Sequence, residues 1–346
     1  VRAGRCARAM LAIVVAGVLA MPGLGPVAAP AAAADEADPV RILLFGDSIT
    51  QGSTGDWTWR YRLWRDLTDA GISVDFVGPR RDLLTYTPPA FGSLHYKDPA
   101  FDIDHAAAWG KRLTGKGFSV SDVTETYQPD VVVGLIGFND LRYGVTPTAL
   151  GEKWRAEIAL SRDAAPGVDV LLVPLPHIGV VGVRAYNDEL AVVAAEMDSP
   201  DQRVVLAPRA DFGSLDVYDW VHPSASGERK LAAVVEDGLA VLGVSGGARM
   251  LELQDPVLAE RWAPSPTAGA IGTEITVRWP AVDYASSQRV RVADLTTGVV
   301  RTVRGVLGTS YVMTGEPGHA YRFRLYPVKG YLPTGAVSTA ARVTIN

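Results

Sequence analysis

Val40-Arg41-Ile42-Leu43-Leu44-Phe45-Gly46-Asp47-Ser48-Ile49-Thr50-Gln51-Gly52 runs from a short apolar stretch into a turn of small and polar residues. The apolar run is of the kind that makes a buried strand. Beyond the turn, Trp59-Arg60-Tyr61-Arg62-Leu63-Trp64-Arg65-Asp66-Leu67 places large apolar residues at helical spacing. Ser48 is therefore expected where a strand ends and a helix begins. At the carboxyl end of a strand in an open α/β sheet, a side chain faces the crevice in which ligands bind. Gly46 and Gly52 let the backbone bend there. A serine alone at such a turn is commonly structural, bonding its own backbone, so the remainder of the chain decides its meaning.

Working outward, strand-like and helix-like stretches alternate from Asp35 to Gly243. After the helix near Trp59–Ala70 come strands Val74–Val77 and Val131–Ile136. A helix starts at Pro147, with Thr146 as its N-cap. Strand Asp169–Val173, a helix over Val183–Met197, strand Arg203–Ala207 and a helix over Ser224–Leu242 follow. This order predicts an α/β fold, a three-layer α/β/α sandwich with a mostly parallel sheet. Residues 80–117, with Pro88-Pro89 and several glycines, read as a long irregular segment, and loops of that length are usually functional. After the glycine-rich break at Gly243–Gly247 the composition changes. Short alternating runs at Glu274–Trp279, Arg289–Val292, Val299–Val303 and Tyr321–Leu325 predict an all-β sandwich. Trp279 is placed as a core tryptophan and Tyr321 as a tyrosine corner. The domain boundaries expected are 1–34, 35–243, a linker or first strand over 244–263, and 264–346.

The chain has 346 residues and a formal net charge of −5. Its scattered charges argue against partners such as nucleic acid or an anionic membrane surface. Arg2, Arg5 and Arg8, the apolar stretch Leu11–Leu19, too short to span a bilayer, and the small residues Ala32-Ala33-Ala34 predict a cleaved secretory signal and an extracellular protein. Cleavage would remove three arginines, taking the charge from −5 to −8, and with them Cys6, the single cysteine. The mature chain then has no disulfide, cysteine nucleophile or thiolate metal site.

Three further stretches carry chemistry. Gly137-Phe138-Asn139-Asp140 follows the central strand, so Asn139 can offer an amide donor to the same crevice; the bland alternative is an Asx turn. Asp219-Trp220-Val221-His222-Pro223 precedes the last helix of the first domain. There Asp219 can hold His222 in one tautomer, leaving the other ring nitrogen to take a proton from a serine; the alternative is a surface pair capping a helix. In Ala108-Trp109-Gly110-Lys111, Gly110 can bring a bare N–H toward a developing oxyanion, with Gly92, Gly115 and Gly117 as rivals.

In order and placement these blocks resemble the SGNH/GDSL hydrolases over residues 38–242. The resemblance implies ester hydrolysis without a cofactor or metal. It implies Ser48 as nucleophile, His222 as general base and then acid, and Asp219 as its orienter. The Ser48 N–H, a Gly110 N–H and the Asn139 side chain would form the oxyanion hole. Arg60-Tyr61-Arg62, Val74–Gly78, and Phe101–His105 leading to Trp109-Gly110 look like the bacterial acetyl xylan esterase-like branch. The C-terminal region resembles a fibronectin type III domain, with polysaccharide or a cell surface as its expected contact. The reading that follows is a secreted serine esterase acting on O-acyl, chiefly O-acetyl, esters of carbohydrate. Its rivals are an esterase or lipase acting on lipid or small-molecule esters, and a binding protein whose hydrolase domain is idle.

Of the other histidines, His177 reads as structural or substrate-side and His319 as solvated. His95 and His105, with Asp102 or Asp104, form a weak metal-site candidate. Trp57, Trp59, Tyr61 and Trp64 read as core, with sugar stacking as the alternative.

Overall fold

The computed structural model describes residues 38–176, 179–247 and 262–346. The leader segment 1–34, His177 and most of the 244–263 connection lie outside the described residues.

The first part is built on a parallel sheet. Strands β1 (Val40–Gly46), β2 (Val74–Val77), β5 (Ala106–Ala107), β6 (Val131–Leu135), β7 (Asp169–Leu172) and β8 (Val204–Leu206) pair in the order β2-β1-β6-β7-β8. The two residues of β5 continue the β2 lane beside the carboxyl end of β1, opposite Phe45 and Gly46. Each central strand is a nearly unbroken run of buried β-branched and leucine residues, as a sheet covered on both faces requires.

Helices α2 (Thr58–Asp69) and α7 (Ala225–Val241) pack together; α3 (Val120–Tyr127), α5 (Pro147–Ala164) and α6 (Val183–Met197) form a second group. Their buried residues repeat every three or four positions. Examples are Trp59, Leu63 and Leu67 in α2, Leu150, Trp154 and Ile158 in α5, and Leu231, Val235 and Leu239 in α7. One apolar stripe per helix thus faces the sheet. Helix α5 starts at Pro147, with the Thr146 side chain accepting from the Ala149 N–H. Two short helices follow strand ends directly: α1 (Ser48–Gln51) after β1 and α4 (Phe138–Arg142) after β6. Strand β1 pairs with β2 on one side and with β6 on the other, so the crevice of the sheet opens where these two helices begin.

The segment 80–117 is more regular than the sequence suggests. Strands β3 (Leu83–Tyr86) and β4 (Pro89–Ser93) form a hairpin across Thr87-Pro88. The prolines that read as strand breakers sit at its turn and edge, where no ladder N–H is needed. Helices α3 and α4 have no counterpart in the sequence reading. Each is too short to establish a helical period, and α3 is defined by a Ser119–Asp122 capping box instead.

The C-terminal part is two antiparallel sheets. One has the order β13 (Ser310–Thr314), β10 (Glu274–Arg278), β9 (Thr267–Ile271). The other has the order β12 (Val300–Val306), β11 (Ser287–Asp294), β14 (Ala320–Lys329), β15 (Leu332–Pro333), with β16 (Ala341–Thr344) also on β14. Alternate residues Ile275, Val277, Val290, Val292, Tyr321, Phe323 and Leu325 fill one core with Trp279. The Tyr321 hydroxyl accepts from the Glu316 N–H at 2.9 Å, the contact expected of a tyrosine corner. His319 departs from its expectation: it is partly buried and pairs with Asp294 at 2.9 Å. No helix among the described residues is long and apolar enough to cross a membrane.

Candidate active site

Ser48 is the first residue of α1. Asp47 caps that helix, its Oδ1 accepting from the Ile49 N–H at 3.0 Å. The cap holds the backbone in the sharp turn that points Ser48 into the crevice. The carboxyl end of α1 is closed by Arg60, which is fully buried. Its guanidinium donates to the carbonyls of Thr50 at 2.8 Å and Gln51 at 3.1 Å, and to the Tyr96 hydroxyl at 2.9 Å. The helix is too short to sustain itself, and these side chains supply what its own turns do not.

The loop 216–223 brings the second half of the site. Val221 and His222 donate their N–H groups to Asp219 Oδ1 at 3.1 and 2.8 Å, and His222 Nδ1 lies 2.7 Å from Asp219 Oδ2. An ionised carboxylate only accepts, so Nδ1 carries the proton and Nε2 faces Ser48 Oγ at 3.0 Å as an acceptor. Burial pushes the Asp219 carboxyl up, but its bonds to the His222 ring, to the His222 N–H and to the Val221 N–H outweigh this and hold it below its ordinary value. Trp220, between them, has a left-handed backbone with φ of 78°. A bulky side chain is strained there, and such strain persists only where the surroundings enforce it.

The His222 ring stacks with two aromatic rings. Trp109 lies 4.2 Å away between ring centroids and Tyr218 5.7 Å, with interplanar angles of 23° and 20°. Gln51 Oε1 accepts from the Trp109 N–H at 2.7 Å, so α1 also holds the ring that covers the histidine. Trp109 was visible in the sequence only as context for Gly110. Tyr218 carried no motif signal, because an aromatic stacking partner has no fixed spacing.

Asn139 sits in α4, where its Nδ2 donates to the Lys111 carbonyl at 3.1 Å. Next to it, buried Asp140 accepts from the N–H groups of Leu113 and Thr114 and from the Thr114 hydroxyl. These bonds tie the loop 109–114 to the carboxyl end of β6. Gly110 lies on that loop, exposed, with φ of 75°. The structure therefore joins Ser48, His222 and Asp219 by direct bonds, and bonds Asn139 to the Lys111 carbonyl on the loop that carries Gly110. Gly92, one of the rivals to Gly110, belongs to the β3–β4 hairpin.

The remaining candidates fall elsewhere. His105 is fully buried; its Nδ1 accepts from the Ala107 N–H and its Nε2 donates to the Asp82 carbonyl, both at 3.1 Å. His95 pairs with Asp283 at 3.2 Å. No group of three metal-ligating side chains occurs among the described residues. Trp59 and Tyr61 are buried, and Trp57 and Trp64 pack on the core. A cavity of about 10 Å³ is lined by Ser48, Ser53, Asp56, His222 and Glu228, among others.

The arrangement is that of an alcohol activated by an oriented imidazole. No curated protein gives a significant match. Among solved structures, a carbohydrate esterase family 3 protein from Talaromyces cellulolyticus matches at 23% identity and TM-score 0.50, over 59% of this chain and 97% of that one. An acetyl esterase mutant crystallised with acetate ion matches with the same figures, 23% identity, TM-score 0.50, 59% and 97%. Both show the fold of the first part. A Fn3-like protein from Clostridium thermocellum matches over 23% of this chain and 85% of that one, at 23% identity and TM-score 0.20. The family model for GDSL-like lipases and acylhydrolases matches residues 44–230, more than half of the chain. The chain belongs to the GDSL-like lipase/acylhydrolase family and is an esterase of that family.

Proposed function

We propose that this esterase removes small acyl groups, chiefly acetyl, from carbohydrate hydroxyls through an acyl-enzyme on Ser48. The observation that carries the reading is the continuous path from Ser48 Oγ to His222 Nε2 at 3.0 Å and from His222 Nδ1 to Asp219 at 2.7 Å. His222 takes the Ser48 proton as the oxygen attacks the ester carbonyl. The tetrahedral oxyanion is met by the Ser48 N–H, the Gly110 N–H and the Asn139 amide. His222 then protonates the leaving sugar oxygen. A water, deprotonated by the same ring, releases the carboxylate and restores Ser48.

Two features favour a short acyl group on a sugar. The cavity lined by Ser48, Ser53 and His222 is about one water in size, with no room for a long acyl chain. The structural neighbours described as a carbohydrate esterase and as an acetyl esterase point to the same chemistry. In this reading the protein is exported and cleaved before Asp35, and its C-terminal sheets face polysaccharide.

The test is a hydrolysis panel of acetylated xylan, acetylated monosaccharides and p-nitrophenyl esters from acetate to palmitate, run on the native chain and on Ser48→Ala. The variant is expected to lose about 10⁴–10⁶-fold in kcat on every ester. Near-native turnover by the variant would remove Ser48 from the mechanism. A native preference for palmitate over acetate would replace the carbohydrate reading with a lipid one.

A further inference from the structure

The turn after β14 enters the α/β part beside the nucleophile. Lys329, the last residue of β14, is completely buried. Its Nζ donates to Asp56 Oδ2 at 2.7 Å and to the Thr54 carbonyl at 3.1 Å. The same Nζ lies 4.9 Å from the centroid of the Tyr218 ring, the ring stacked on His222. Two residues on, the Tyr331 N–H donates to the Tyr218 carbonyl at 2.7 Å. Gly330 passes so close that a Cβ there would fall 1.8 Å from that carbonyl oxygen. The loop 282–285 completes the contact. The Asp283 carbonyl accepts from Thr54 Oγ1 at 2.8 Å and from the Tyr86 N–H at 2.7 Å.

Both loops held in this way belong to the site. Residues 53–56 follow the nucleophile helix by two positions, and Tyr218 precedes Asp219. Ser53 Oγ and the Tyr218 hydroxyl are 3.3 Å apart, so the two loops also touch. The loop 218–222 contains the left-handed Trp220, a conformation that needs outside support. The Tyr331 and Lys329 contacts supply it from the C-terminal sheets.

We propose that the C-terminal β-sandwich is part of the catalytic centre, and that Lys329 is a positioning residue that sets His222 against Ser48 through Tyr218 and Asp56. The proposal rests on the Ser48 esterase reading for its kinetic arm. Lys329 touches no reacting atom; it acts by fixing the ring behind the histidine and the loop behind the serine. The charged and titratable groups around it are Asp56, Glu228 and Arg62 of the α/β part, with Tyr86 and Tyr218. Burial, with Asp56 nearby, pushes the Glu228 carboxyl upward; Glu228 keeps Arg62 at 3.1 Å, so a lost ammonium leaves Asp56 without its cation.

The experiment uses the full chain with Lys329→Met, and with the double variant Asp56→Leu/Lys329→Met. The double change replaces both partners of a buried pair, which proteins commonly tolerate where loss of one partner is damaging. Active sites are counted with a fluorophosphonate, kcat and KM are measured on p-nitrophenyl acetate, and the low-field proton resonance of His222 Nδ1–H is followed by NMR. A misplacement of the order of 1 Å in a catalytic pair can cost about 10²-fold. The expected result is thus a fall in kcat per titrated site of about 10²-fold in both variants, KM within about threefold, and a broadened or displaced Nδ1 proton. A purely structural clamp would lower the number of titratable sites and leave kcat per site and the Nδ1 resonance as in the native chain; that result overturns the proposal. If the native chain neither hydrolyses the ester nor takes the label, the esterase reading fails. The Nδ1 resonance then decides the positioning claim by itself, and an unchanged signal in both folded variants refutes it.

Discussion

Asn139 donates one amide hydrogen to the Lys111 carbonyl at 3.1 Å, which holds the amide plane and leaves the second hydrogen at the carboxyl end of β6. In the proposed mechanism this amide meets the oxyanion, and a preorganised donor in that role acts on the transition state far more than on the bound ester. Asn139→Ala is therefore expected to lower kcat on p-nitrophenyl acetate by roughly 10²–10³-fold with KM little changed; an equal loss confined to KM would place the residue in substrate binding instead. Asp47 raises a different question at the same scale. Its Oδ2 is buried without a partner among the described residues. Burial, assisted by Asp140, pushes its pKa from 3.8 to about 7. Between these two values the folded protein holds a proton that the unfolded chain has released, so stability falls as pH rises through that window and levels off above it. Asp47→Asn keeps an acceptor for the Ile49 N–H and has no proton to lose. Its melting temperature should gain on the native protein from about pH 4 to about pH 7 and then run parallel. A gap that does not change with pH would contradict this account.

At the scale of elements, the site depends on how closely β1 and β6 can be followed by helices. Gly46 ends β1 where a Cβ would lie 2.2 Å from Thr50 Oγ1 and 2.7 Å from the Leu135 carbonyl. The α1 helix can fold back over the strand only because no side chain occupies that space. On the neighbouring strand, Gly134 leaves room for the Trp154 ring of α5, which a Cβ would approach to 2.4 Å. Gly46→Ala is expected to destabilise the fold by about 1–3 kcal/mol, the usual cost of overpacking, and to shift Ser48 with the helix. Urea unfolding measures the first effect and kcat the second. A stable variant with native kcat would mean that α1 can move aside without cost.

At the scale of the whole molecule, the two parts are not joined by the connecting segment alone. Lys329–Asp56 is an ion pair with side chains exposed by only 1% and 4%, and it lies between backbone contacts from residues 283 and 331. Domains in one chain are expected to move independently unless their interface is substantial, and a buried pair of this kind is severely disrupted by any opening. Calorimetry of the full chain should therefore show one cooperative transition, with calorimetric and van't Hoff enthalpies in agreement. Two resolved transitions would show that the sandwich unfolds or detaches by itself.

The sequence by itself determined the layered α/β architecture, since unbroken β-branched runs alternating with 3.6-period stripes have few other ways to bury their apolar faces. It also pointed to Ser48, Asn139, Asp219 and His222, because each lies within a few residues of a strand end or helix start that local patterning reveals. The short helices α1, α3 and α4 were not legible, being held by capping side chains and by Arg60 rather than by a repeating pattern. The stacking of Tyr218 on His222 and the reach of Lys329 to Asp56, 273 positions apart, were beyond any local reading. Such contacts have no periodicity or spacing; they exist only once the chain has closed on itself and brought two separately patterned surfaces together.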